Sequence, residues 1–279
     1  MSQPPQSNAV IDFYDTHPIN EQQILEKLRK DGFDTVAVTQ DILQNYDQDH
    51  YGGVAANDAL AALAGLDNSC HLLDVCCGLG GPSRYLAHNY GCHVTGIDLT
   101  QSRIEGATRL TEMAGLDNLV EFKCANALQL PFPEKTFDVL VSQEAFCHVP
   151  QKDQLIAECV RVLKPGGRMA FTDILITDKT RDETKARLER ELTFQEPASM
   201  DSYCQAFERE GCTSIEATDV SDHWRIILVE RLEMFRSLKD QTIERFGEAH
   251  FLKWDDAYQF FVGLYETGEL GGGRFLARR

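Results

Sequence analysis

The sequence predicts an α/β protein built on a mostly parallel β-sheet. Three observations carry that prediction. From residue 70 to residue 176, short apolar runs alternate with segments of helical period, the pattern of strands and crossover helices that cover both faces of a parallel sheet. The first apolar run, Leu72-Leu73-Asp74-Val75, passes into the turn Cys76-Cys77-Gly78-Leu79-Gly80-Gly81-Pro82-Ser83 and then into a helical pattern, so a strand feeds a tight turn that opens a helix. The second run, Cys92-His93-Val94-Thr95-Gly96-Ile97-Asp98, ends in an acid 24 positions after Asp74. Ligands of open α/β sheets bind at the carboxyl ends of the strands, where both features fall.

Composition narrows the function classes. A chain of 279 residues suits one large α/β domain or one domain with a cap. Hydrophobic residues make up 43% and charged residues 25%, as in soluble globular proteins. The formal net charge of −17 repels phosphate backbones and anionic lipid. The expected partner is therefore a small molecule, not nucleic acid or membrane, for a monomer or homodimer. Nine cysteines show no C-x-x-C pair, and Cys70, Cys92, Cys124, Cys159 and Cys212 sit in or beside apolar runs. They read as reduced, buried thiols of a cytoplasmic protein, with no metal site. Met1 to Asn8 is polar and lacks a basic region followed by an apolar one, so no signal peptide is read. No apolar run approaches the roughly 20 residues of a membrane span.

Taken in order, residues 1–20 read as a loose tail whose large apolar residues, Phe13 and Tyr14, are suited to dock as a lid. Asn20 caps a helix in which Ile24, Leu25 and Leu28 repeat up to Gly32, and a second helical segment covers Thr35 to Leu43. Tyr46-Asp47-Gln48-Asp49-His50-Tyr51-Gly52-Gly53 is either a plain connection or a wall of the site, ahead of a helix from Ala55 to Ala64. Helices follow at Ser83–Asn89, Gln101–Ala114 and Leu155–Leu163, and strands at Cys70–Val75, Cys92–Asp98, Val120–Cys124, Phe137–Ser142 and Arg168–Ile174. Beyond residue 176 helices are expected at Arg181–Gln195, Ser199–Gly211, Trp224–Phe246 and Trp254–Glu266. Two further strands, Cys212–Asp219 and Gly271–Ala277, bring the sheet to seven, the last one antiparallel. The division reads as an N-terminal lid (1–54), a ligand-binding core (55–178), and cap helices with the last two strands (179–279), in one structural unit.

The frame Asp74-x-Cys76-x-Gly78-x-Gly80 lacks the third glycine of a dinucleotide site, which disfavours a nicotinamide-dependent oxidoreductase. It resembles the first motif of the class I S-adenosylmethionine-dependent methyltransferases, with Cys76 where that family most often has glycine. The turn Leu163-Lys164-Pro165-Gly166-Gly167 into an apolar strand is similar to the same family. The resemblance covers residues 70–176 and implies a Rossmann-like, seven-stranded methyltransferase sheet with S-adenosyl-L-methionine as cofactor and S-adenosyl-L-homocysteine as its product. It implies that Asp74, Cys76, Gly78 and Gly80 hold the methionine part. Asp98 is a ribose ligand or, alternatively, a helix N-terminal charge. Leu99 would flank the adenine, and Asn126 with Ala127 would meet its edge, Asn126 replacing a more usual aspartate.

Within that family the chain resembles sarcosine and dimethylglycine N-methyltransferases at Ser142-Gln143-Glu144-Ala145-Phe146-Cys147-His148, at Tyr265-Glu266-Thr267-Gly268-Glu269-Leu270-Gly271-Gly272-Gly273, and in an N-terminal helical lid. A sulfonium methyl is already activated, so an enzyme contributes alignment and desolvation around a neutral amine. Gln143 is expected to position substrate or the methionine end, and His148 to hydrogen-bond substrate or accept a proton. Tyr51, Phe146, Tyr203 and Trp224 are candidate aromatic faces for a methylated amine. Arg225 and Arg274 are candidate forks for a substrate carboxylate. Each of these has a plain packing or surface alternative. Two other functions stay open: an O- or C-methyltransferase acting on a natural product, and a silent cofactor-binding partner protein.

Overall fold

In the computed structural model, residues 5–15, 17 and 19–279 are described; the polar start at residues 1–4 lies outside them. The elements run α1 (Pro5–Asp15), α2 (Glu21–Lys30), α3 (Gln40–Leu43), α4 (Gly53–Ala64), β1 (His71–Val75), α5 (Gly81–Tyr90), β2 (His93–Asp98), α6 (Gln101–Met113), β3 (Val120–Cys124) and β4 (Phe137–Gln143). After a short 3-10 turn at Phe146–His148 come α7 (Lys152–Val162), β5 (Leu163–Ile176), α8 (Asp182–Leu192), α9 (Met200–Arg209), β6 (Thr213–Asp219), α10 (Ser221–Ser237), α11 (Lys239–Phe246), α12 (Glu248–Thr267) and β7 (Leu270–Arg278).

The described residues form one seven-stranded sheet in the order β3-β2-β1-β4-β5-β7-β6. Strands β1 to β5 pair in parallel, and β7 runs antiparallel between β5 and β6. Consecutive residues of β1 feed opposite faces. Leu72 joins Leu60, Leu86 and Val139 under α4 and α5. Leu73 and Val75 join Leu155, Phe171 and Phe207 under α7 and α9. Both faces are covered, which is why the strands read as nearly continuous apolar runs. A third cluster, around Trp224, Leu228, Phe261 and Leu264, packs the cap helices α10 and α12 onto the end of the sheet at Ile174 and Leu270.

Four expectations are corrected. The N-terminal segment is the helix α1 from residue 5, not a loose tail; its Val10 is buried, and Arg103 of α6 donates to Tyr14 O at 3.0 Å. The 35–43 helix shrinks to α3, four residues that follow an extended Thr39. The single helix expected over 224–246 is two, α10 and α11, meeting at Leu238. The Leu163–Gly167 turn is a bulge within β5: Phe137 opposes Leu163, and the next paired residues are Val139 and Arg168. Gly166 has φ +77° there, and Lys164 Nζ is held by both oxygens of Asp138 at 2.8 and 2.9 Å.

Candidate active site

A cavity of about 440 Å³ opens over the carboxyl ends of β1, β2 and β4. Its floor is the turn after β1. Cys76 takes the left-handed region at φ +63°, a conformation glycine adopts freely and cysteine at a cost of about 1 kcal/mol. Gly78, at φ +55°, has nothing within 4 Å of where a Cβ would stand, so its face is open to a ligand. Gly80 serves packing instead: a Cβ there would run into Phe122 of β3.

Asp98 ends β2 and accepts from Gly78 N at 3.0 Å and Thr100 N at 2.9 Å, one bond to each oxygen. An ionised carboxylate has lone pairs left after two such bonds. Burial raises its pKa, against those two N–H groups and Arg103, which lower it. Asp74 lies deeper, 3% exposed, and its Oδ2 accepts from Ser83 Oγ at 2.5 Å. Burial pushes its pKa up to about 7. The Nε2 of Gln143 is buried without a partner on the wall of the same cavity, a donor that awaits an acceptor. Leu99 and Ala127 line the cavity, as does Asn126, whose Oδ1 already accepts from Leu128 N at 2.9 Å. An open glycine face, a strand-end carboxylate with free lone pairs and an unpartnered amide donor fit a ligand with ribose hydroxyls and an amino-acid end.

The roof comes from residues distant in sequence. The loop before α4 rests directly on the start of α5, where a Cβ on Gly81 would strike Asp47 O. Beneath it Arg84, fully buried, donates to Asp47 Oδ2 at 2.9 Å, to Thr111 Oγ1 at 3.1 Å and to Ala107 O at 3.2 Å. Of the two alternatives for this loop, a plain connection or a wall, the geometry is that of a wall: Asp47, Asp49, His50 and Tyr51 line the cavity. From the other side α1 contributes Phe13 and Tyr14, and α12 contributes Trp254, Tyr258 and Phe261.

Two polar groups stand opposite the floor. Glu144, in the left-handed region at φ +47°, accepts from Tyr51 N at 2.8 Å and Thr172 Oγ1 at 2.6 Å. Burial outweighs both bonds and pushes its pKa up to about 7. His148 sits on the 3-10 turn. Its Nδ1 lies 3.3 Å from Thr193 O, an acceptor, so Nδ1 carries the hydrogen and Nε2 accepts from Tyr14 Oη at 3.1 Å. Burial lowers its pKa to about 4, which leaves the ring neutral at pH 7.

Five other candidates lie elsewhere. Phe146 and Tyr203 are fully buried against Phe171 in the core, and Tyr203 Oη donates to Asp173. Trp224 stands one layer behind the cavity, edge-on to Tyr51 at 5.0 Å, in the space left by Gly272. Arg225 is on the outer side of α10 near Asp222, and Arg274 pairs within the sheet between Thr172 and Thr218. The arginine that does face the cavity is Arg231, two turns along α10. It lies 4.9 Å over the Tyr51 ring, and its Nη2 donates to His50 O at 2.8 Å. Helical phase does not separate the two: Arg231 and Arg225 flank the buried stripe of Trp224, Leu228 and Leu232 on opposite sides, each about 60° from its centre. Glu144 was legible as the acid of the Ser142–His148 segment, but nothing local marked its burial.

Comparison with known proteins agrees with this geometry. Residues 73–171 match the family described as a methyltransferase domain. The chain is 32% identical over 197 residues to 27-O-demethylrifamycin SV methyltransferase of Amycolatopsis mediterranei, covering 70% of this chain and 72% of that one. It is 28% identical over 219 residues to the glycine/sarcosine/dimethylglycine N-methyltransferase of Actinopolyspora halophila, covering 78% of this chain and 39% of the relative. It spans about half the length of other curated relatives it matches. In fold it is similar to the cyclopropane synthase MmaA2 from Mycobacterium tuberculosis, with a TM-score of 0.79, 17% identity and full coverage of both chains. The strand order, the glycine turn with its acid, and a relative matched over most of both lengths make the chain a member of the class I S-adenosylmethionine-dependent methyltransferases.

Proposed function

We propose that this chain transfers a methyl group from S-adenosylmethionine to the nitrogen of a small amine, of the sarcosine or dimethylglycine type. The observation that carries this reading is the pairing of one buried carboxylate, Glu144, with the aromatic rings of Tyr14, Tyr51, Tyr258 and Trp254 around the same cavity. Carboxylate and ring faces together suit an alkylammonium, each face contributing about 0.5–2 kcal/mol. The cofactor, when bound, supplies an activated methyl on a sulfonium. Asp98 would hold its ribose, and Gly78 and Gln143 its methionine end. Glu144 takes the proton that an acceptor ammonium must lose before its nitrogen can attack. Neutral His148, with its ring fixed by Thr193 and Tyr14, orients the acceptor. Arg231 replaces Arg225 and Arg274 as the fork for a carboxylate on the acceptor.

Transfer from labelled S-adenosylmethionine to sarcosine, dimethylglycine, phosphoethanolamine and a phenol tests this. Methylated sarcosine or dimethylglycine is expected, with Arg231→Ala raising KM about tenfold or more for acceptors that carry a carboxylate. Silence on every amine, with cofactor still bound, overturns the amine reading. The apolar part of the wall, at Leu192, Phe194, Leu228 and Phe261, favours one second reading, an O- or C-methyltransferase of a natural product. Methylation of the phenol alone would select it, and cofactor binding with no turnover would select a silent binding protein.

A further inference from the structure

We propose that Asp173 is a positioning residue for the acceptor end of the site, acting through the turn that carries His148; this rests on the reading that His148 faces the acceptor. Asp173 and its neighbour Thr172 sit near the carboxyl end of β5, and each holds one part of the segment that follows β4. Thr172 pairs with Gln143 in the sheet, its Oγ1 donates to Glu144 Oε1 at 2.6 Å, and its carbonyl accepts from Glu144 N at 2.9 Å. Asp173 Oδ1 accepts from Cys147 N at 3.0 Å, one residue before His148, and Oδ2 accepts from Tyr203 Oη of α9 at 2.7 Å. Asp173 itself is fully buried and does not line the cavity.

The counter-charge is part of the same brace. Lys152, at the start of α7, is the group that most opposes burial in the Asp173 ionisation. Its Nζ donates to Val149 O and, at 3.1 Å, to Gln195 O. Gln195 N in turn donates to Cys147 O at 2.8 Å. His148 is thus bracketed: its own turn is tied to Asp173 and Lys152, and the segment that receives its Nδ1, Thr193 to Gln195, is tied to the same turn. Lys152 makes no direct ion pair with Asp173; its hydrogen bonds go to the two backbone carbonyls, and its charge acts on Asp173 through space. What these backbone ties supply is a fixed place for one imidazole.

The test separates positioning from general support, and uses readouts that need no acceptor. The titratable groups around His148 are Tyr14 and His17 on the N-terminal segment and Lys152 on α7, with Glu144 and Cys147 on its own segment. In Asp173→Leu, the His148 ring observed by NMR is expected to titrate nearer its ordinary value than about 4, because the turn no longer holds it in the buried position. Acceptor turnover is expected to fall about 10- to 100-fold through kcat. The affinity for S-adenosylhomocysteine, whose proposed partners Asp98, Gly78 and Gln143 lie outside the turn that carries His148, is expected to stay unchanged. Tyr203→Phe removes one hydrogen bond at constant volume, and is expected to shift both readouts the same way by less; it serves if the leucine variant does not fold. An unmoved His148 titration in both folded variants overturns the proposal. So does a loss of cofactor-product affinity in step with turnover. Failure of the amine reading would show as no turnover by the unaltered chain, and would leave the titration result standing on its own.

Discussion

Glu144 shows how one residue's chemistry follows from its surroundings. Its carboxylate is out of water and has two hydrogen-bond donors, and the cost of burial wins, so its pKa rises from the ordinary glutamate range to about 7. A group with a raised pKa is protonated below it, so the proton-accepting form appears as pH rises through about 7. The pH profile of kcat is expected to climb through that range in the unaltered chain. Glu144→Gln is expected to lose this limb and about 100- to 10,000-fold of the rate, while any higher limb that belongs to the acceptor's own amine remains. A profile of unchanged shape in the glutamine variant would remove Glu144 from the role of base. Its left-handed backbone fits this view, since strained residues persist where the surrounding structure over-determines them.

At the scale of elements, the loop before α4 matters more than its lack of regular structure suggests. It has no helix or strand of its own to hold it. It is held by Arg84, which reaches from α5 to Asp47 and at the same time to α6. Both side chains of that ion pair are fully buried. Arg84→Met leaves the Asp47 charge without its partner and is expected to destabilise the protein by about 3–5 kcal/mol. The double variant Arg84→Met with Asp47→Leu is expected to recover most of that stability in a denaturant titration. If His50 and Tyr51 depend on this tie for their place, the double variant, though stable, will bind S-adenosylhomocysteine more weakly. Equal costs in single and double variants would show that the pair does not interact as drawn.

For the molecule as a whole, the site is assembled from four packing units that meet only in three dimensions. The sheet supplies the floor, the loop before α4 one wall, α1 a second, and the cap helices α10 and α12 the third. Helix α1 touches α6 through Arg103 and Ser102, and touches the rest of the site through Tyr14 on His148. Removal of residues 1–17 therefore takes away Phe13 and Tyr14 but little of the four buried clusters. The shortened chain is expected to keep its melting temperature within about 2 °C, the shift of roughly 1 kcal/mol in a chain of this size, and to lose acceptor turnover by about 100-fold. A large fall in melting temperature would make α1 part of the folding unit instead of a wall added to it.

The sheet was legible in the sequence because its evidence is local. A parallel strand buried on both faces is an apolar run, a crossover helix is a 3.6-residue period, and the ligand turn is a short string of glycines after a strand. Asp74, Gly78, Asp98, Leu99 and Gln143 could be named from such strings, and all line the cavity. The aromatic and cationic walls could not be chosen the same way. Phe146, Tyr203 and Trp224 have the same composition signal as Tyr51, Trp254 and Tyr258, and only packing sorts them into core and cavity. Arg231 and Arg225 share one helix, and the direction in which α10 lies on the cap decides which of them faces inward. The same holds for charge: the burial that moves Glu144, Asp74 and His148 comes from residues up to 130 or so positions away, such as Tyr14 over His148, and the physical cause of each shift exists only once those elements have closed over it.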